Sequence, residues 1–285
     1  MLTEKTFHTG SVLLNYAEGP PSGSPLLMLH GVTARWQSGL PIIPQLSSRW
    51  QIYTLDFRGH GKSEHVPGQY GINHYVADTR AFIEKKISDP VIIFGHSLGG
   101  RVAMTLAAET PEKIRAIIVG DTPLSSQSMA SRTDFLRVFK AWHELILEGL
   151  SVDELAHAIG ELPAAVSDPA VTLKFKHLPG WDQAYLRYTS QYLKMVDPEI
   201  LLSIADGSAS NDYDIEDILS RIECPVLLLQ GDSNLGALMT DADRDNVLFR
   251  LKSGSYVRID GAGHDIHLQN AEPVRRAVTL FLESL

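Results

Sequence analysis

The segment Gly95-His96-Ser97-Leu98-Gly99-Gly100 stands between a short apolar run, Val91–Phe94, and a helix-forming stretch, Leu98–Glu109. A turn this sharp between strand and helix strains the backbone of its serine, and the flanking glycines remove side chains that would collide. The hydroxyl of Ser97 is then held above the strand end. Backbone N–H groups at the helix start, that of Leu98 first, aim at any oxygen that develops negative charge nearby. A serine hydroxyl is a poor nucleophile near neutral pH unless a base takes its proton, so a histidine must come from elsewhere. Of 11 histidines, His264 is best placed, in Gly261-Ala262-Gly263-His264-Asp265, a loop between the last strand-like run and the last helix-like one. His267 reads as a capping or surface residue. His96, beside the serine, is expected to point away from it and pack behind it. The chemistry expected of this set is nucleophilic attack by Ser97 with His264 as general base.

His30-Gly31-Val32 closes another apolar run, Leu26–Leu29, and the N–H of Val32 there is expected to be a second oxyanion donor opposite Leu98. Asp56-Phe57-Arg58-Gly59-His60-Gly61-Lys62-Ser63 ends a further run and reads as structural, with Asp56 and Arg58 tying loops together. His30, His60 and Asp56 lack any spacing typical of metal ligands, so no metal is expected.

These residues need a scaffold. Strand-like runs recur around Thr6 and at Val12–Tyr16, Leu26–Leu29, Ile52–Leu55, Val91–Phe94, Ala116–Val119, Val226–Leu229 and Tyr256–Ile259. Helical patterns at Tyr75–Ile87, Leu98–Glu109, Asp241–Leu251 and Pro273–Leu282 alternate with them, which predicts an α/β fold with a mostly parallel sheet. From Ser125 to Gly207 the strand signal vanishes and amphipathic segments take over. The expected organisation is a core of residues 1–124 and 208–285 with a helical insertion at 125–207. Within the insertion Trp181, Tyr185, Tyr188, Tyr192 and Met195 recur at helical steps, and Phe135, Phe139 and Trp142 form a second aromatic face. Trp142 and Tyr188 are the expected substrate-binding residues of an apolar pocket under a lid.

The formal charge of −9, from 34 acidic and 25 basic residues, and the lack of a basic block argue against a nucleic-acid partner. A single cysteine, Cys224, excludes an internal disulfide and fits a reducing compartment. No apolar run reaches membrane-spanning length, and residues 1–10 lack a signal-peptide pattern; a cytoplasmic protein is expected.

Together, Leu26-Leu27-Met28-Leu29-His30-Gly31, the Asp56–Ser63 stretch, the motif around Ser97 and Gly261-Ala262-Gly263-His264 make the sequence similar to the α/β-hydrolase superfamily, in its branch of small esterases, lactonases and haloperoxidase-like enzymes. The resemblance spans nearly the whole chain outside the insertion. It implies an eight-stranded sheet, a helical cap inserted after the sixth strand, and no cofactor. It also implies an acid for His264. The usual place, three residues beyond the glycine closing the seventh strand, holds Asn234, which cannot bear the charge. Asp121, ending the sixth strand, is the preferred candidate, with Asp232 just after Gly231 as the alternative. The expected activity is hydrolysis of a small-molecule carboxylic ester or lactone with an apolar moiety. Alternatives are carbon–carbon bond hydrolysis, thioester cleavage or peracid formation at the same site, and, in another class, a non-catalytic ligand-binding protein. A serine nucleophile argues against the epoxide hydrolases and dehalogenases of this fold, which attack with an aspartate.

Overall fold

The computed structural model describes residues 2–124, 133–164, 173–210 and 213–285. Eight strands form one sheet: β1 (Thr3–His8), β2 (Leu13–Glu18), β3 (Pro25–Leu29), β4 (Gln51–Leu55), β5 (Val91–His96), β6 (Ile114–Gly120), β7 (Val226–Gln230) and β8 (Gly254–Arg258). Their spatial order is β1-β2-β4-β3-β5-β6-β7-β8, with β2 antiparallel to both of its neighbours and the pairs from β4 to β8 parallel.

The central strands are short unbroken apolar runs because both faces of a parallel sheet are covered. Their side chains alternate between two cores. Leu27, Leu29, Val91, Ile93, Val226 and Leu228 belong to one; Leu26, Met28, Ile92, Phe94, Leu227 and Leu229 belong to the other. The helices divide accordingly. The first core receives α2 (Ile72–Lys86), α3 (Leu98–Glu109) and α8 (Ile215–Arg221). The second receives the one-turn α1 (Ile43–Leu46), α10 (Ile266–Gln269) and α11 (Ala271–Glu283). Helix α9 (Asp241–Arg250) links β7 to β8.

Between β6 and β7 lie α4 (Thr133–Leu147), α5 (Val152–Glu161), α6 (Gln183–Leu193) and α7 (Pro198–Ala205). Their starts are encoded locally: Ser151 and Glu154 form a reciprocal capping box on α5, while Asp182 and Asp197 cap α6 and α7 through backbone N–H groups. Among the described residues, no helix is long and apolar enough to cross a membrane.

The Asp56–Ser63 stretch knits the loop after β4 to its surroundings. Arg58 makes a buried two-pronged pair with Asp78 of α2, at 2.7 and 2.8 Å. Asp56 accepts hydrogen bonds from Asn15 and from the backbone N–H groups of Trp36 and Lys62. Gly61 has φ +57°, and a Cβ there would lie 2.3 Å from Asp56 Oδ2, so the carboxylate occupies the space a side chain would need.

Candidate active site

In a parallel sheet the loops at the carboxyl ends of the strands converge, and the candidate residues gather there. Ser97 follows β5 directly and has φ 53° and ψ −113°, a conformation rarely adopted by any residue but glycine. Its N–H donates to Gly120 O at 3.0 Å, and Gly99 N–H donates to His30 O at 3.2 Å, pinning the turn from both sides. The glycines are required by contact: a Cβ on Gly95 would sit 2.2 Å from Gly99 O, and one on Gly99 would sit 2.4 Å from Leu29 O. Gly31 packs against the same turn, since a Cβ there would lie 3.0 Å from Ser97 Cβ. The His30–Val32 loop is thereby laid beside the serine. Val32, Leu98, Ser97 and His264 all line one cavity.

His264 Nδ1 lies 2.8 Å from Asp121 Oδ2. A carboxylate only accepts, so Nδ1–H is the donor of this hydrogen bond, and Nε2 is the ring nitrogen that Asp121 does not engage. Asp121 is fully buried and directly follows β6, with φ +33°. Its other partners are backbone donors: Gly231 N–H at 3.1 Å and Met239 N–H at 3.4 Å on Oδ1, and Leu238 N–H at 2.7 Å on Oδ2. The loop after β7 thus folds back to solvate this carboxylate. Asp232 does different work: its Oδ1 accepts from Asn234 N–H at 2.9 Å, capping a short turn, and stands 3.7 Å from Arg258. The usual acid position, Asn234, belongs to that same turn.

Behind the His264 loop, His96 is buried and its Nε2–H donates to His264 O at 2.9 Å. His267 is buried as well, with its ring 4.8 Å from that of His96 and 6.0 Å from that of Phe94, which corrects its reading as a capping or surface residue. The short α10 places it facing inward, against the second core. Asp265 receives the hydroxyl of Tyr185 from α6, a contact between the inserted helices and the His264 loop for which the sequence holds no signal. Burial pushes the Asp265 carboxyl upward, but His264, His96, the Tyr185 hydrogen bond and His267 outweigh it and leave its pKa below the ordinary carboxylate value.

The cavity, of about 460 Å³, is walled on one side by rings in succession. Trp142 and Phe175 are 6.0 Å apart, Phe175 and Trp181 4.4 Å, Trp181 and Tyr185 5.0 Å, Tyr185 and Tyr188 6.1 Å, and Tyr188 and Tyr192 4.1 Å. The sequence pattern placed Trp181 and Met195 on the same helix as the tyrosines. The helix is shorter: Trp181 precedes its Asp182 cap yet still lines the cavity, and Met195 follows its end and receives Arg35 on its sulfur. Phe139 also lines the cavity, whereas the side chain of Phe135 lies outside the described residues. Among the described residues, no group of three or more His, Cys, Asp or Glu side chains is arranged to hold a metal ion.

Four buried histidines make stability depend on pH. Burial first, and neighbouring histidines second, lower His30 and His96 to about 4 and His60 and His267 to about 3. The folded pKa is depressed below the unfolded value, so below about pH 6.5 the unfolded chain binds protons that the folded chain refuses. Their contribution is complete above that pH and is lost as pH falls towards 3–4. Each histidine contributes a slope of about 1.4 kcal/mol per pH unit within its window. The buried Asp56, whose pKa burial raises, opposes this in part. Urea unfolding measured from pH 8 to pH 4 should therefore show a flat plateau above pH 7 and a steep loss below pH 6. Constant stability through that range would contradict the burial of neutral rings.

A family model described as alpha/beta hydrolase fold matches residues 24–271. A 2-(acetamidomethylene)succinate hydrolase from Mesorhizobium japonicum is 26% identical over 275 residues, 96% of this chain and 93% of that protein. A pimeloyl-[acyl-carrier protein] methyl ester esterase from Neisseria meningitidis is 26% identical over 270 residues, 93% of this chain and 95% of its own. Among solved structures, the enol-lactonase from Burkholderia xenovorans LB400 superposes with a TM-score of 0.74 at 18% identity, over 98% of this chain and 100% of that one.

Proposed function

The chain belongs to the alpha/beta hydrolase fold family, and within it we propose a serine hydrolase that cleaves a carboxylic ester or lactone with an apolar moiety. The observation that carries this reading is the hydrogen bond from His264 Nδ1 to the buried Asp121, which leaves Nε2 as a base in the cavity lined by Ser97. Ser97 Oγ attacks the carbonyl carbon while His264 Nε2 takes its proton. The N–H groups of Leu98 and Val32 hold the oxyanion. The imidazolium then protonates the leaving alcohol as the tetrahedral adduct collapses to an acyl-serine. Water, deprotonated by His264, releases the acid and restores the serine.

In this reading residues 125–207 are a cap over a core of residues 1–124 and 208–285, and Trp142 and Tyr188 grip the substrate. The ring-walled cavity supports an apolar or aromatic acyl or alcohol group. The test is a panel of aryl and alkyl esters, lactones, thioesters and a β-diketone, run on the wild type, Trp142→Ala and Tyr188→Ala. Esters or lactones should be turned over best, and each variant should raise KM several-fold for the bulkier apolar esters. Turnover confined to the thioesters or the diketone would refute the ester reading. Unchanged KM with lowered stability would reduce the two rings to packing.

A further inference from the structure

We propose that Tyr185 of α6 is a positioning residue for the general base: it holds the Asp265 carboxylate away from the imidazole of His264, so that His264 pairs with Asp121 alone. This rests on the proposed reading in which His264 is the base. Asp265 directly follows His264, so its carboxylate stays within reach of that loop whatever the inserted helices do. Two carboxylates therefore stand beside one imidazole. Asp121 is committed to it, with Oδ2 2.8 Å from Nδ1. Asp265 lines the catalytic cavity, and of the three histidines that attract its charge, His264 acts on it most strongly.

A buried carboxylate left unpaired is costly, so it takes whatever donor lies nearest. Asp265 occupies the position before α10 where an aspartate ordinarily accepts from the first N–H groups of a helix, yet its side chain makes no such bond. Ile266 N–H donates to His264 O and Leu268 N–H to Asp265 O, both at 2.9 Å, so two of those donors are already taken. The carboxylate accepts instead from the Tyr185 hydroxyl, and among the described residues no other hydrogen bond reaches it. Burial, and then Asp265 itself, push the Tyr185 pKa upward, so this hydroxyl keeps its proton and donates. Helix α6 is fixed at its far end as well. Two turns beyond Tyr185, the Tyr192 ring lies 4.6 Å from the Arg35 guanidinium, and Arg35 also donates to Met195 Sδ at 3.3 Å. Arg35 belongs to the loop that carries Val32, so α6 bears on both catalytic loops. Without the Tyr185 hydroxyl, Asp265 is left with the imidazoles, and His96 already gives its Nε2–H to His264 O. If His264 turns to Asp265 through either ring nitrogen, it gives up its tie to Asp121 or the nitrogen that takes the serine proton.

The experiment compares three variants of the full chain with the wild type, using the best ester or lactone. Tyr185→Phe removes only the oxygen and keeps the ring in the cavity wall, so kcat should fall at least about tenfold with KM unchanged. Asp265→Asn, whose amide oxygen still accepts from Tyr185, should stay within about twofold of the wild type. Adding Asp265→Asn to Tyr185→Phe should restore most of kcat, because the competing charge is gone. Proton NMR reads the same pairing without turnover. The far-downfield His264 Nδ1–H signal, assigned by its loss in His264→Ala, should vanish in Tyr185→Phe and return in the double variant. Should no ester or lactone be turned over, the ester reading fails and the proton signal still decides this proposal. A Tyr185→Phe variant with wild-type kcat or an unchanged signal would overturn it. So would a double variant no better than Tyr185→Phe, which would assign the loss to packing, or an equal loss in Asp265→Asn, which would make the Asp265 charge a participant.

Discussion

Ser97→Ala and His264→Ala should each lower kcat by at least about 10³-fold towards the best ester or lactone, and the double variant should be little worse than either single one. In the proposed mechanism nucleophile and base act as one unit, so removing either removes the activated alkoxide. What remains is the environment, with N–H donors at the head of α3 and a cavity that binds the substrate. Folding should be intact. Alanine at 97 keeps the N–H that donates to Gly120 O, although it inherits the same strained φ of 53°. At 264, alanine keeps the carbonyl that receives His96. Steady-state kinetics paired with thermal melts checks the claim, and near-full activity in either variant would remove the mechanism.

The second large effect is expected at Asp121. Its two oxygens are matched to four donors: His264 and Leu238 N–H on Oδ2, Gly231 and Met239 N–H on Oδ1. In Asp121→Asn the amide NH₂ must face donors whichever way it turns. A lost hydrogen bond and an unsatisfied buried group should lower stability by about 1–3 kcal/mol. The catalytic loss should be larger, up to about 10⁴-fold in kcat with little change in KM, because the carboxylate stabilises an imidazolium that exists only as reaction proceeds. Asp232→Asn should be mild, since an amide oxygen can still accept from Asn234 N–H. Measured side by side at matched pH, a near-silent Asp121→Asn beside a crippled Asp232→Asn would reverse the assignment.

What was legible in the sequence was local. The glycine pattern around Ser97 predicts its turn because van der Waals contact with Leu29, Gly99 and Thr122 forbids side chains there. Apolar runs predicted the central strands to within one or two residues, since two covered faces demand unbroken hydrophobicity. Less legible were contacts between distant segments. Asp121 and Asp232 each end a strand and look equivalent as letters. They differ in that the loop after β7 turns Gly231, Leu238 and Met239 N–H groups towards Asp121, a consequence of backbone path. Tyr185 meeting Asp265 is of the same kind, and so is the burial of His267, which depends on how the one-turn α10 lies on the sheet.

The central claim is that Ser97 becomes covalently acylated in the cavity. Incubation of the wild type with a fluorophosphonate, followed by mass spectrometry of the digested protein, tests it most directly. A single phosphonyl group on the peptide containing Ser97 is expected, with labelling abolished in Ser97→Ala and strongly slowed in His264→Ala. An unlabelled protein, or a label carried elsewhere while Ser97 stays free, would contradict the account.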